Sequence, residues 1–186
     1  AQFSEGGLNH DVINSAQKFG IVPASVYSGL VGNTTTFNHT KMVSELNALL
    51  KPYTNPEEKL DPKWKKEVTD ILDKYMGADV SEFTFEGKKY TPKSFLEMTK
   101  LKLDDYVTIT SFTNEPFYKT FILDVPDNFA YGSFYNLPLD EFIQNIDNAL
   151  DNGYTLALDA DVSEPTFSAK SGVAVVPENE ADNKTI

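Results

Sequence analysis

Apolar residues recur at helical spacing in several stretches of the chain, with polar residues between them. The clearest stripe is formed by Phe142, Ile146, Ala149 and Leu150, which occupy the i, i+4, i+7 and i+8 positions of one helix face. Similar stripes predict three further helices, over residues 8–19, 38–50 and 62–76, and Thr91-Pro92 predicts the start of a shorter one that runs to about residue 99. The pattern therefore predicts a chain that is rich in amphipathic helices.

The helix that contains Phe142 leads into the segment around which we expect the chain to be organised. Asn152-Gly153 ends this helix, because glycine adopts the left-handed C-terminal conformation at little cost. Residues 154–158 (Tyr-Thr-Leu-Ala-Leu) then form a short apolar run, which predicts a buried strand. An acidic turn follows at 159–164.

Other segments carry the pattern of strands. Residues 106–112 alternate in the manner of a strand, and 117–123 could be extended as well. Residues 82–90 are centred on Glu86-Gly87, which indicates a β-hairpin. Helices and short strands together favour the α+β class.

Length and composition indicate a folded domain and narrow the choice of partners. A chain of 186 residues with 40% hydrophobic residues fits one domain, or one domain with an insertion. The net charge is -12, and lysine supplies all of the positive side chains. This balance argues against nucleic acid and anionic membrane surfaces as partners, because both require clustered positive charge. It also favours cationic partners weakly.

The chain contains no cysteine, which excludes disulfides, thiolate metal sites and a thiol nucleophile within it. It begins at Ala1 without Met and ends on a polar tail, so we expect it to be either cut from a longer protein or processed and trimmed at its ends. No apolar run approaches the ~20 residues that span a bilayer. The sequence does not indicate a cellular compartment.

Several segments, in this order along the chain, resemble papain-fold cysteine peptidases, and most of all the bleomycin hydrolase/aminopeptidase C branch. Ser4-Glu5-Gly6-Gly7 and residues 20–23 resemble the Gly-Gly helix and the segment after it. Residues 136–163, with Asn-Leu-Pro-Leu-Asp-Glu-Phe at their start and Asp-Val-Ser at their end, resemble the family's next helix and strand. Residues 172–177 resemble the glycine-hydrophobic strand that follows.

The resemblance implies a partial papain-like fold with a mainly helical insertion. Residues 1–29 would form the helical part near the substrate cleft. Residues 30–124 would be the insertion of this branch, with a small hairpin, and 125–186 would form a helix and the start of the β domain. The branch forms hexameric rings, so the longer protein would be a homo-hexamer. The resemblance implies no cofactor and no metal.

The resemblance also implies which residues hold a peptide substrate. Gly6 and Gly7 would present backbone groups to an extended peptide, which adds like a strand. Ala157 would be a wall of the pocket for the substrate's second side chain. The alternatives are a plain turn before a helix for the two glycines and a core position for the alanine.

The family's catalytic residues are missing from this chain. Its cysteine precedes the Gly-Gly segment, and its histidine and asparagine follow the strand at 172–177, so the chain alone is expected to be inactive. His10 and His39 have no triad context, and we interpret both as surface or helix-end histidines. A non-catalytic, papain-related binding or structural module is therefore the alternative function.

The acidic turn offers two further alternatives, a metal site and an acid/base hydrolase. A calcium loop that starts at Asp159 would need a glycine at Glu164 and a glutamate at Lys170, and it has neither. Asp159 and Asp161 lack any context in the sequence that would adjust a carboxyl group for acid/base catalysis. The acidic turn is therefore interpreted as solvated, or as capping backbone N–H groups.

Overall fold

A computed structural model describes residues 6–54, 61–160, 162 and 166–175, apart from the side chain of Thr54. Contacts divide the chain into two compact units, Ala1–Leu139 and Asp140–Ile186. The predicted boundaries after residues 29 and 124 stay predictions. Ser4, Glu5, Asp161, Ser163, Glu164 and Pro177, which the sequence patterns invoked, lie outside the described residues.

The first unit contains four helices and five short strands among its described residues. Its elements are α1 (Asn9–Phe19), α2 (Thr40–Leu50), α3 (Trp64–Met76), β1 (Phe83–Phe85), β2 (Lys88–Tyr90), α4 (Pro92–Thr99), β3 (Ile109–Thr110), β4 (Thr120–Ile122) and β5 (Ser133–Asn136). Short 3-10 turns follow α2 at Lys51–Thr54 and α4 at Leu103–Asp105. This mixture of helices and small sheets is compatible with the predicted α+β class.

Local signals in the sequence account for most of these elements. Thr91 caps α4 by accepting a hydrogen bond from the Ser94 N–H, and Pro92 is the first residue of the helix. β1 and β2 pair in antiparallel register around Glu86 and Gly87, which have φ angles of 48° and 76°. Positive φ at both central residues is the conformation that tight hairpin turns require. The predicted hairpin and all five predicted helices are confirmed.

Two clusters of buried side chains in the first unit lie against helices. Met42 and Leu46 of α2 are buried beside α3, whose own apolar stripe is only half-buried rather than buried as expected. Phe83 and Phe95 are buried where the hairpin packs on α4, with their ring centroids 5.4 Å apart. These contacts hold each helix by one face, as the spacing predicts.

β5 is the central strand of a three-stranded sheet, parallel to β3 and antiparallel to β4. The strand predicted over residues 106–112 is confirmed only at Ile109–Thr110. It ends early because the Phe112 N–H donates to the side-chain oxygen of Asn136 instead of to a neighbouring strand. Asn136 is fully buried and also donates to the carbonyl oxygens of Phe112 and Glu115.

The second unit consists of α5 (Leu139–Asp151), which begins at the boundary between the units, and a short ladder of β6 (Phe167–Ser168) with β7 (Val173–Ala174). The buried strand predicted over residues 154–158 is wrong. This segment is irregular, and Tyr154, Leu156 and Leu158 are 69%, 47% and 76% exposed. A strand requires a ladder partner, and within the described part of the second unit the only ladder is that of β6 with β7.

None of the helices in the described part of the chain combines the length and the apolar character that crossing a bilayer requires.

Candidate functional site

Gly6 and Gly7 are exposed and lie at one end of an open groove of about 570 Å³ in the first unit. The groove follows the face of α1 that carries Val12, Ala16 and Phe19, and it ends near Gly20 and Ile21. Val12 and Phe19 are 68% and 64% exposed, so the apolar face of α1 is partly open rather than fully buried. The glycine pair therefore leads directly into an apolar groove.

The start of α1 fixes the backbone beside the glycines. Leu8 precedes the helix in an extended conformation, with φ -113° and ψ 166°. Its N–H donates to the Asp11 carboxylate over 2.8 Å, which satisfies a donor that a helix start leaves without a partner. The negative charge also suits the positive end of the helix dipole. Leu8 is thus held in an extended form directly after Gly7.

The two glycines have different structural requirements. Gly6 has a φ of +143°, a backbone conformation that side chains other than glycine's rarely adopt, so the fold itself favours a glycine there. A Cβ atom on Gly7 would lie 3.5 Å from Asp11 Oδ2 and 3.6 Å from Phe129 Cε1, which are ordinary contacts. The fold therefore does not require glycine at position 7, and the missing side chain leaves its backbone accessible from the groove.

His10 is not the surface histidine that we expected, although it does lie at a helix end. Its side chain is only 12% exposed, and its ring meets Phe134 edge to face at 5.7 Å between centroids. Its Nε2 atom lies 2.9 Å from the side-chain oxygen of Asn128. His39, which lies immediately before α2, fits the prediction of a helix-end histidine.

Backbone groups fix the orientation of the Asn128 amide. Its nitrogen donates to the carbonyl oxygens of Leu123 and Gly132, each over 2.9 Å, and its oxygen accepts from the Gly132 N–H over 2.8 Å. The oxygen therefore faces His10, which means that His10 Nε2 carries a proton and donates it. His10 Nδ1 is buried and has no hydrogen-bond partner in the structure as described.

This histidine–asparagine pair is a structural clamp. His10 Nε2 is committed to Asn128, and Nδ1 is buried, so neither nitrogen is placed to take a proton from a nucleophile. The pair instead joins α1 to the loop of residues 125–132, across 118 positions of sequence. Gly132 lies so close to the His10 ring that a side chain there would collide with it.

The clamped loop presents two aromatic side chains to solvent. Phe129 and Tyr131 are 65% and 67% exposed, whereas Asn128 of the same loop, which contacts His10 of α1, is 2% exposed. Phe129 lines the groove beside Gly7. The sequence pattern does not predict a role for Asn128 or Phe129. A signal was present in the turn-forming sequence Pro-Asp-Asn at 126–128, which marks a loop but does not show what the loop contacts.

The other predicted site residues lie elsewhere. Ala157 belongs to the second unit and is exposed, so it is not a core alanine. The substrate-binding roles of Gly6, Gly7 and Ala157 stay predictions. Asp159 is exposed in the second unit, and the described residues contain no cluster of three or more acidic or histidine side chains that could hold a metal ion.

Comparisons with known proteins give a likeness of fold. No family model matches this sequence, and no curated protein matches it. Among solved structures, PepW from Lactobacillus rhamnosis HN001 is similar with a TM-score of 0.54 and 19% sequence identity. The match covers 80% of this chain and 39% of PepW, so the chain spans about two fifths of the length of that protein. At this identity the likeness shows the fold alone, which is distantly peptidase-like.

Proposed function

We propose that this chain is a portion of a thiol-dependent aminopeptidase with a papain-like fold, of the bleomycin hydrolase/aminopeptidase C branch. It carries part of the substrate cleft and leaves the catalytic triad to the rest of the longer protein. Two independent observations support the proposal. The family's segments occur in order along the sequence, and the fold resembles that of a peptidase over 80% of the chain.

The observation that carries the proposal is the exposed Gly7 backbone at the end of the groove. The fold does not require glycine at position 7. We therefore attribute the missing side chain to a ligand that approaches the Gly7 backbone closely. An extended peptide that adds like a strand pairs with an accessible backbone of this kind, through the N–H and C=O groups of Gly7. Peptide binding is therefore the role that the groove supports best.

In the proposed parent enzyme, a cysteine thiolate attacks the peptide carbonyl, a histidine takes up the thiol proton, and an asparagine orients that histidine. None of the three is assigned to this chain. It has no cysteine, and His10 is committed to its bond with Asn128. We accordingly expect the purified chain to release no fluorophore from fluorogenic aminoacyl substrates.

Peptide binding can be tested directly on this chain by NMR titration with a short extended peptide. We expect shifts at Gly7 and Leu8, and binding roughly tenfold weaker in Gly7→Ala, because a methyl group would hinder one or two backbone hydrogen bonds of about 0.5–1.5 kcal/mol each. Asn14→Ala is the matched control, since Asn14 is exposed on α1 and does not line the groove. Equal affinity in Gly7→Ala and Asn14→Ala would contradict the proposed role of the glycine pair.

The second candidate is a non-catalytic, papain-related binding or structural module. It is favoured by the absence of cysteine together with the clamped state of His10. The flanking reading frame distinguishes the two candidates. A peptidase requires an upstream Gln-x-x-x-x-x-Cys-Trp-like segment, and a downstream histidine followed by Asn-Ser-Trp. A frame without these segments would favour the module.

A further inference from the structure

We propose that Asn152, at the end of α5, is a site of spontaneous deamidation that is controlled by opening of the last turn of the helix. The inference goes beyond the proposed peptidase and does not depend on it. Asn152-Gly153 is the one Asn-Gly pair in the sequence, and both residues are exposed. Glycine in the second position favours the reaction, because no Cβ atom shields its backbone nitrogen.

The reaction requires only water as a co-reactant, and nothing is oxidised or reduced. The backbone nitrogen of Gly153 attacks Cγ of Asn152 and forms a C–N bond. The bond from Cγ to Nδ2 then breaks, and ammonia leaves with the proton from the Gly153 N–H. Water opens the resulting cyclic imide. Cleavage at Cγ gives aspartate, and cleavage at the backbone carbonyl carbon gives isoaspartate.

The closed helix end holds both reacting groups in hydrogen bonds. The Gly153 N–H donates to the Leu150 carbonyl over 3.0 Å. The Nδ2 group of Asn152 donates to the Asn148 carbonyl over 2.7 Å. Attack on Cγ requires the nitrogen to leave the first bond and the amide to turn away from the second. The last turn must therefore open before the reaction can occur.

This turn is weakly held. Asp147 and Asp151 are exposed and place negative charge at the end of α5 where the helix dipole is also negative. None of the described residues of α5 is buried, and none in its last turn is basic. Exposed hydrogen bonds with little packing around them open at a low cost in free energy. We therefore expect the reactive state to be populated in the folded chain.

The product keeps the turn open. A carboxylate in place of the Asn152 amide cannot donate a hydrogen bond, and it adds a third negative charge beside Asp147 and Asp151. Isoaspartate also lengthens the backbone, which disrupts the bond of 3.0 Å from the Tyr154 N–H to the Ala149 carbonyl. Deamidation would thus release the start of segment 154–158 from the helix irreversibly.

The test incubates the purified full chain in mildly alkaline buffer, which favours removal of the proton from the Gly153 nitrogen. Peptide mass spectrometry that separates aspartate from isoaspartate follows every asparagine. We expect Asn152 to lose its amide, and Asn145 and Asn148, which are exposed on the same helix, to keep theirs, because a side chain follows each of them. Hydrogen exchange of the Tyr154 amide should be faster in the modified chain.

Two variants test the chemistry and the control by the helix end. Gly153→Ala should slow deamidation at least about tenfold, because its methyl group hinders the attack, although a φ of +79° makes alanine loosen the turn. Asp151→Lys places a cation at the helix end, four residues after Asp147, and should slow deamidation roughly threefold. Asp79→Lys, at an exposed position of the first unit, makes the same change in net charge and should leave the rate unaltered.

Each outcome bears on the proposal. An Asn152 amide that stays intact while the chain unfolded in urea loses it overturns the proposal, and so does equal deamidation at Asn145 and Asn148. Deamidation of Gly153→Ala at the rate of the unsubstituted chain overturns the imide route. Equal rates in Asp151→Lys and Asp79→Lys overturn the control by the last turn. Amide spectra that match those of the unsubstituted chain establish that each variant is folded.

Discussion

Gly20 is the residue where a single missing side chain decides how two helices meet. It ends α1 with a φ of +85° and a ψ of -168°, a region that is essentially restricted to glycine. A Cβ atom there would overlap the backbone of Pro92 at the start of α4. The neighbouring Ile21 N–H donates to the Pro92 carbonyl over 3.1 Å, so the close approach is also a hydrogen-bonded contact.

We predict that Gly20→Ala lowers the free energy of unfolding by about 3 kcal/mol or more, as backbone strain and steric overlap act together. Urea denaturation followed by circular dichroism measures this change. Gly32→Ala is the control, because Gly32 also has a positive φ, of 70°, but a Cβ atom there would have nothing within 4 Å. Gly32→Ala should lower the free energy of unfolding by only about 1–2 kcal/mol. Similar losses in both variants would show that the contact with Pro92 contributes little.

At the scale of single residues, the sequence predicts positions whose role is local and misses those whose role depends on distant partners. Thr91-Pro92 marks the start of α4 in the sequence, because the group that Thr91 caps lies only three residues away. Asn136 and His10 find their partners 20 to 24 and 118 residues away, and nothing in their immediate neighbours indicates this. Only the folded chain brings such partners together, so their burial could not be derived from spacing.

The same distinction holds for whole elements. Five helices and a hairpin followed from periodicity, caps and turn residues, which act within a few positions. The segment 154–158 has the composition of an interior strand, but composition provides no ladder partner. The groove beside α1 was equally hidden, since the periodicity marks Val12 and Phe19 as apolar without showing that their face is left open.

α2 and α3 are joined by a charged network on their exposed side. The Glu45 carboxylate accepts hydrogen bonds from Lys74 Nζ at 2.7 and 2.9 Å and from the Tyr75 hydroxyl at 2.6 Å. The bond from Lys74, followed by that from Tyr75, lowers the pKa of Glu45 below its ordinary value of 4.5. In turn, the bond to Glu45 is the main reason that the pKa of Lys74 is raised above 10.5.

The signs of these shifts predict how stability depends on pH. The contribution of Glu45 is present above pH 4.5 and is lost as the pH falls through its lowered pKa in the folded chain. The contribution of Lys74 is present below pH 10.5 and is lost as the pH rises through its raised pKa. Glu45→Gln should therefore be less stable than the parent chain between these limits, and equally stable in strong acid.

Urea denaturation across a series of pH values measures this difference. Because the groups are exposed, we expect a small effect that shrinks in high salt. The difference in the free energy of unfolding between Glu45→Gln and the unsubstituted chain should disappear in strong acid. If it persists unchanged there, the electrostatic explanation is wrong and the substitution disturbs packing between α2 and α3.

Over the whole molecule, the balance of buried and exposed apolar side chains supports the proposal that this chain belongs to a larger protein. Among the described residues, seven hydrophobic residues are buried, whereas twenty-four large ones are exposed. No residue of α5 is buried, although this helix has a well-formed apolar stripe. In the proposed longer enzyme, the apolar face of α5 would be covered by the missing parts of the same chain.

Uncovered apolar surface of this kind promotes association, and α5 offers a direct way to test whether it does so here. We predict that the purified chain shows an average mass above 20.8 kDa that rises with concentration, measured by size-exclusion chromatography coupled to light scattering. Replacing Ile143 and Leu150, which are 47% and 54% exposed, with lysine should shift the chain toward the monomer. Lysine places a charge that is costly to bury in any contact made through this helix.

The matched control replaces Asn145 and Asn148, which are exposed polar residues of the same helix, with lysine. Both double variants change the net charge from -12 to -10, so general electrostatic repulsion is equal in the two. If the apolar stripe causes association, only the variant at Ile143 and Leu150 becomes monomeric. Equal dissociation in both would assign the effect to net charge. If the unsubstituted chain is monomeric at every concentration, its exposed apolar surfaces do not need to be covered. That result would remove the support that these surfaces lend to the proposal of a larger enzyme.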